Sequence, residues 1–452
     1  MNLKERLQQQ QRVKQRNSAL AAERLNSSAE ATHSRSATNP LQISSSQSLG
    51  LERIRGRQKT PHTKQITPNL LVRNEFEGSV EKMNPQGSYL YFEHNGRVGD
   101  LLHRDELGSM MRHLVRILGK SDCPVDLNRM VFVDTETTGL SGGTGTYAFL
   151  VGIGGWNSTG FQVEQYLMRG YDEESAVLEA VHARLCNAQV LLTFNGKSFD
   201  IPLLQSRFVL ARRPWPLPSA LHVDLIHPAR RLWSLRLGDC SLGNLENKLL
   251  ARTRCLDVPG SEIPSIYFNY SRTGNPSGIR AILQHNRQDI ETLAELTIKI
   301  SEILGGETPP DSSAEDLFST GRYFRSLGEK HQALACAELA LKKPLSRELE
   351  LEVLVELAKL RKARREYQTA ADFWRTVFDR SMKPREDVCE ELAIYYEHRG
   401  HNLSAALNVV EVALSYFSSA SSQQKWEHRR QRLLRKLKGR SFNASLFDDA
   451  LI

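Results

Sequence analysis

The sequence predicts an α/β mixed sheet with helices on its faces, followed by an all-α helical array and preceded by a disordered basic tail. Three observations carry this expectation. Short apolar runs separated by turn residues fill positions 129–169, and apolar runs then alternate with helical spacing to about residue 304. Past Gly305-Gly306 and Pro309-Pro310 the chain is rich in Ala, Leu, Glu and Arg at helical spacing, with no strand pattern. A chain of 452 residues is too long for one ordinary core of roughly 100–200 residues. The expected division is a tail over 1–75, an α/β domain over 76–304 with its core at 128–304, a helical array over 312–440 and a second tail over 441–452.

Residues 1–73 carry 13 Lys or Arg against 4 Asp or Glu, a net +9, so the formal +8 of the whole chain resides there and the remainder is close to neutral. Such a basic, Gln- and Ser-rich segment cannot bury enough apolar surface to offset the entropy of ordering. It is either a solubilising tail or a loose electrostatic tether for nucleic acid. The six cysteines, Cys123, Cys186, Cys240, Cys255, Cys336 and Cys389, form no CxxC pair. They read as small core residues in a reducing compartment, and His222, His227, Cys240 and Cys255 lack the spacing of a structural zinc site. The start MNLKERLQQQQRVKQR leads into no apolar stretch of signal-peptide length, and no run of about 18 apolar residues follows anywhere. A cytoplasmic protein without a membrane span is expected.

Order is expected from Phe76, with one or two strands in residues 88–102. Arg129-Met-Val-Phe-Val-Asp134 is a short apolar strand, and Tyr147–Trp156 and Phe161–Arg169 are two more, with Gly154-Gly155 and Asn157–Gly160 as turn residues between them. This is a three-stranded meander. Glu173–Asn187 then has helical periodicity, Val190–Phe194 reads as a buried strand, Ser198–Arg212 as a helix and Ala220–Ile226 as a strand. A long helix from about Ile279 to Leu304 ends the domain. Gly142-Gly-Thr-Gly145 and Gly152-Ile-Gly-Gly155 complete neither a P-loop nor a dinucleotide fingerprint, and read as tight connections between strands.

In the helical region an internal repeat aligns Gly328-Glu-Lys-His-Gln-Ala333 with Arg365-Glu-Tyr-Gln-Thr-Ala370 and Gly400-His-Asn-Leu-Ser-Ala405, at Ala-to-Ala intervals of 37 and 35 residues. That is close to the roughly 34-residue period of tetratricopeptide repeats. A basic helix over Gln424–Arg440 is expected to cap the array, burying Trp426, Leu433, Leu434 and Leu437 and turning Arg429, Arg430, Arg432, Arg435 and Lys436 outward. Such a charge run is a solvated face or a nucleic-acid contact. Trp215 and Trp233, flanked by Arg212, Arg213, Arg230, Arg231 and Arg236, either pack in the core or stack on bases.

The chemistry centres on three segments. Val131-Phe-Val-Asp134-Thr-Glu136-Thr-Thr-Gly139 sets two carboxylates at i and i+2 on a strand end, hence on one face of the sheet. Paired like charges there suit a hard divalent cation such as Mg²⁺ or Mn²⁺, although an acid at a strand end also commonly caps a turn. Leu192-Thr-Phe-Asn195-Gly-Lys-Ser-Phe-Asp200 runs from a strand through a turn to a helix start, where an acid also suits the helix dipole. His285-Asn-Arg-Gln-Asp289 places His and Asp one helical turn apart on a shared face.

Together the three segments resemble the DEDD exonuclease superfamily, with DxE on the first strand, an Asn-to-Asp turn after a later strand and a base-plus-Asp pair on the last helix. They resemble most closely the YprB-type ribonuclease H-like family. That resemblance extends through His222-Val-Asp-Leu, Arg230-Arg-Leu-Trp, Cys240-Ser-Leu-Gly-Asn-Leu-Glu246, Asp257-Val-Pro-Gly260 and Ile263-Pro, covering about residues 128–304. It implies hydrolysis of nucleic acid by two divalent cations, Mg²⁺ or Mn²⁺. Asp134 would bridge both ions, Glu136 and Asp289 would complete the water-activating site, Asp200 would hold the ion beside the leaving group and His285 would be the base. Thr137, Thr138 and Asn195 would stand behind the ligands or face substrate, while Lys197 and Arg207 would meet phosphates or serve as surface charges. The superfamily's histidine branch keeps its base five residues before the last Asp and its tyrosine branch four; this chain has His at the tyrosine spacing.

Two function classes follow. One is a nuclease, a 3′-to-5′ exonuclease on DNA or RNA, with a helical array that takes a protein partner. The other is a non-catalytic adaptor that recognises nucleic acid and uses the helical repeats for protein interaction.

Overall fold

The computed structural model describes residues 76–96, 98, 102–119, 125–139, 145–252, 258–307 and 312–448. The expected tail over 1–75, the residues Cys123, Gly142, Gly143, Cys255 and Asp257, and the Pro309-Pro310 pair lie outside them. One sheet of seven strands, in the order β1-β2-β5-β4-β3-β6-β7, organises the first half of the described chain. The strands are β1 (Ser79–Asn84), β2 (Gly87–Gly96), β3 (Met130–Thr137), β4 (Ala148–Asn157), β5 (Gly160–Leu167), β6 (Val190–Thr193) and β7 (Leu221–Asp224). From β1 to β3 all neighbours are antiparallel, whereas β6 and β7 join β3 in parallel. The mixed sheet and the meander β3–β5 are as the apolar pattern predicts. Of the one or two strands expected in residues 88–102 the described residues hold one, β2, and the hairpin adds β1 ahead of it.

Seven helices accompany the sheet: α1 (Arg104–Gly119), α2 (Glu174–Leu185), α3 (Asp200–Leu210), α4 (Ile226–Leu237), α5 (Leu242–Leu249), α6 (Ile263–Thr273) and the 28-residue α7 (Ser277–Leu304). Alternation along β3 divides the core: Met130 and Phe132 pack with α1, α4 and the middle of α7 on one face, and Val131 and Val133 with α2, α3 and α6 on the other. Gly152, Gly154 and Gly155 do not connect strands as expected but lie inside β4. A Cβ at Gly154 would come 2.4 Å from Ile290 Cγ2, and one at Gly152 2.3 Å from Asn286 Oδ1, so the bare backbone lets α7 lie directly on the sheet. The turn itself is Asn157–Gly160, where Asn157 Oδ1 accepts from the Thr159 and Gly160 amides and Gly160 has φ +138°.

Helices α8 (Ala314–Ser326), α9 (Lys330–Ala340), α10 (Arg347–Ala363), α11 (Tyr367–Arg380), α12 (Glu386–His398), α13 (Leu403–Tyr416) and α14 (Ala420–Asp448) complete the chain as successive hairpins. The last one runs past the boundary expected at 440. Each hairpin turns through a residue with positive φ, namely Gly328 at 88°, Arg365 at 66° and His401 at 49°. Counting from that residue, the buried small side chains are Ala333, Ala370 and Ala406. The alignment of the third unit on Gly400 and Ala405 is therefore out by one residue, because His401 rather than the glycine takes the left-handed conformation. The first hairpin shares a continuous core with the sheet domain: Leu232, Trp233, Ile300, Ile303 and Leu304 cluster with Leu317, Phe318, Tyr323 and Phe324, and Arg236 pairs with Asp316 at 2.8 Å.

On α14, Trp426 and Leu433 are buried as expected, but Leu434 is exposed. Three of the cations expected to face outward are tied to one buried acid, Arg429 largely covered and Lys436 reaching it from an exposed position. Arg432 Nη2 and Lys436 Nζ each lie 2.7 Å from a carboxylate oxygen of Glu397, and Arg429 Nη1 lies 3.8 Å from it. Trp233 is buried in the sheet-domain core, and Trp215 packs edge-on to Phe208 at 5.5 Å, so both serve packing.

Candidate active site

Asp134 and Glu136 stand near the end of β3, whose alternation sends both side chains to the face that α7 covers. Register sets Asp134 opposite Gly152 and Glu136 opposite Leu150. On α7, His285 and Asp289 are one turn apart, and His285 Nε2 lies 3.4 Å from Asp289 Oδ2 and 3.9 Å from Glu136 Oε1. Asp200 is the first residue of α3, held at the sheet by Thr135, whose hydroxyl donates to Asp200 Oδ1 at 2.5 Å. All four acids read from the sequence thus come to one end of β3.

Their charges act on one another. Burial first, and then the charges of Asp289, Glu136 and Asp200, hold the Asp134 carboxyl well above the usual carboxylate range; a hydrogen bond from Asn286 works against them. Burial pushes Asp200 up to about 6, opposed by the Thr135 hydrogen bond. Among the described residues no three His, Cys, Asp or Glu side chains converge as a closed metal cluster. As donors the four acids fit a hard divalent ion: every one of them offers carboxylate oxygen.

The remaining predicted residues divide. Asn195 and Lys197 are exposed on the turn before α3, with Asn195 at φ 63°. Thr137 and Thr138 are buried and hold backbone, Thr137 Oγ1 donating to Gly139 O at 2.7 Å and Thr138 Oγ1 accepting from the Tyr147 amide at 2.9 Å. Arg207 is not presented to a phosphate. It is buried, its Nη2 donates to Glu174 Oε2 at 2.7 Å, and its guanidinium lies 3.8 Å over the Tyr147 ring. A guanidinium so enclosed is committed to its carboxylate.

The sequence reading missed four supporting residues. Asp224, buried at the end of β7, accepts the Asn195 amide at 2.7 Å and the Lys197 amide at 3.0 Å, and so shapes the turn that delivers Asp200. Asn286 Nδ2 donates to Asp134 Oδ2 at 2.8 Å, and Gln165 Nε2 donates to Asn286 Oδ1 at 2.8 Å. Thr135, on the opposite side of the strand from the paired acids, anchors Asp200. Asn286 sat in plain view between His285 and Asp289, and Asp224 in His222-Val-Asp-Leu; alternation and helical spacing identify such positions as inward but not their partners.

Residues 131–301 match the RNase_H_2 family model, described as RNase_H superfamily. A family B DNA polymerase from the hyperthermophilic archaeon Pyrobaculum calidifontis aligns in structure with a TM-score of 0.32 and 13% identity, over 45% of this chain and 29% of the polymerase. Over 299 residues the chain is 32% identical to protein YprB of Bacillus subtilis (strain 168), spanning 66% of this chain and 72% of that protein. The chain belongs to the YprB-type ribonuclease H-like family.

Proposed function

We propose that this protein hydrolyses nucleic-acid phosphodiester bonds as a metal-dependent DEDD-type nuclease that shortens strands from the 3′ end. One observation supports this reading above the rest: acids from a strand end, a helix start and the last helix of the sheet domain act on one another's charge, with His285 within 3.9 Å of two of them. In this reading Asp134, Glu136, Asp200 and Asp289 hold two divalent cations, Mg²⁺ or Mn²⁺. When bound, these ions neutralise charge developing in an in-line displacement at phosphorus. The rest falls to the chain itself. His285 Nε2, 3.4 Å from Asp289 Oδ2 and 3.9 Å from Glu136 Oε1, accepts a proton from the attacking water. The Lys197 ammonium on the exposed turn meets a phosphate of the substrate strand, as a mobile point charge does. The tetratricopeptide-like hairpins serve as a protein-docking scaffold.

The test is digestion of end-labelled DNA and RNA oligonucleotides with Mg²⁺ or Mn²⁺ beside an Asp134→Ala control. Stepwise 3′ shortening that the control lacks is the expected result. Intact substrate retained in a complex would instead support the adaptor.

A further inference from the structure

We propose that Asn286 is the positioning residue for the Asp134 carboxylate, itself fixed by Gln165, with Gly152 providing the space it occupies. The proposal rests on the reading of Asp134 as a cation ligand. Asp134, Gly152 and Gln165 are cross-strand neighbours on β3, β4 and β5, forming a row across the sheet. Asn286 lies over the middle of that row. With no side chain at Gly152, its amide reaches both ends, bridging two strands that are not themselves paired. Any Cβ at Gly152 would occupy that space, 2.3 Å from Asn286 Oδ1 and 2.9 Å from Cγ.

The direction of every bond in the chain follows from one backbone group. Leu283 O only accepts, so Gln165 must turn Nε2 toward it, at 2.8 Å. The same nitrogen lies 2.8 Å from Asn286, which must therefore present Oδ1. Asn286 Nδ2 then faces Asp134, donating to Oδ2 at 2.8 Å and more weakly to the backbone O at 3.3 Å. Gln165 and Asn286 are fully buried, both at 0% exposure, so water does not compete for these bonds. Chemistry favours an amide here. A Lys or Arg would neutralise the carboxylate in place of the cation, and an acid would add to the repulsion. A neutral donor fixes one oxygen without changing the charge of the ligand set, and leaves Oδ1 outside the bond.

The test is Mn²⁺ binding by the full chain, read from the electron paramagnetic resonance of free ion, for wild type, Asp134→Ala, Asn286→Ala, Gln165→Leu and the Asn286→Ala/Gln165→Leu double variant. Loss of a residue that orients a ligand typically weakens an ion roughly 10–100-fold. That drop is expected for Asn286→Ala, and a smaller one for Gln165→Leu. Because the proposed route from Gln165 to Asp134 runs through Asn286, the double variant should bind no more weakly than Asn286→Ala, a pattern that general loosening of the core does not give. Should Asn286→Ala fail to melt cooperatively, Asn286→Ser and Gln165→Leu carry the same comparison, and unchanged affinity in both overturns the proposal. Wild-type affinity in a folded Asn286→Ala, or additive losses in the double variant, overturns it while leaving the carboxylate site standing. If Asp134→Ala binds Mn²⁺ as wild type does, the carboxylate reading fails and this proposal falls with it.

Discussion

Glu397, at the end of α12, is fully enclosed, with its side chain at 0% exposure, and draws α14 onto the array through Arg432, Lys436 and Arg429. Burial alone would raise its carboxyl, but hydrogen bonds from Arg432 and Lys436 and their charges hold it down, to about 2 from the ordinary 4.5. That difference corresponds to about 3 kcal/mol at neutral pH. A carboxylate depressed by folding contributes in full above its unfolded value and loses that contribution as pH falls from 4.5 through about 2. Glu397→Gln removes the charge and leaves three cations facing a neutral amide in a site made for an anion. Amide exchange in α14 should accelerate by roughly 100-fold at pH 7, the equivalent of about 3 kcal/mol in the local opening equilibrium. The sheet strands, which do not touch Glu397, should keep their protection. The difference between wild type and variant should also shrink on acidification toward pH 2. The reasoning is refuted if α14 protection in the variant stays within about threefold of wild type, or if the loss spreads evenly over the molecule.

Other expectations are as specific. Asp289→Asn should abolish hydrolysis and weaken Mn²⁺ binding, whereas His285→Ala should leave binding nearly unchanged and slow the reaction by roughly 10²–10⁴, or about 3–5 kcal/mol of barrier; full activity in His285→Ala removes the imidazole from the mechanism. Gly154→Ala would set a methyl 2.4 Å from Ile290 Cγ2 and 2.8 Å from Phe161 Cζ, and should cost about 1–3 kcal/mol in urea unfolding. Combining it with Ile290→Ala should recover part of that cost, and strict additivity would refute the contact. Removing residues 1–73 should leave the melting temperature unchanged while flattening the salt dependence of nucleic-acid binding, since the segment carries a net +9; a large drop in melting temperature would contradict this.

Strands β3 to β6 were legible because each is an apolar run bounded by turn residues, and the acids because they stand at fixed offsets from those runs. Helix α1 carries a weaker signal, with Leu107, Met111, Leu114 and Val115 at helical spacing in a mostly polar sequence. The glycines of β4 misled for a physical reason. Glycine marks a turn by its positive φ but also a close approach by its missing side chain, and only the position of α7 distinguishes the two. Arg207, Arg432 and Lys436 show the same ambiguity for charge, since composition suggests a solvated face and only tertiary packing reveals Glu174 or Glu397 opposite. Nothing in the chain's periodicity announced that Gln165 and Asn286 would meet, because their bond joins a strand to a helix more than a hundred residues away.

Helix α7 touches the sheet at Gly152 and Gly154 through Asn286 and Ile290, and ends at Leu304 against the first hairpin of the array. Mechanically it is a lever whose fulcrum lies beside the carboxylates. At 1.5 Å of rise per residue the arm from Ile290 to Leu304 is about 21 Å long, whereas Asp289 is about 1.5 Å from the pivot. A tilt of about 5° would carry the far end by roughly 2 Å and the Asp289 backbone by little more than about 0.1 Å. The arm is itself packed into the sheet-domain core through Leu293, Leu296 and Ile300, so load at the hairpins meets that packing before it reaches the candidate site.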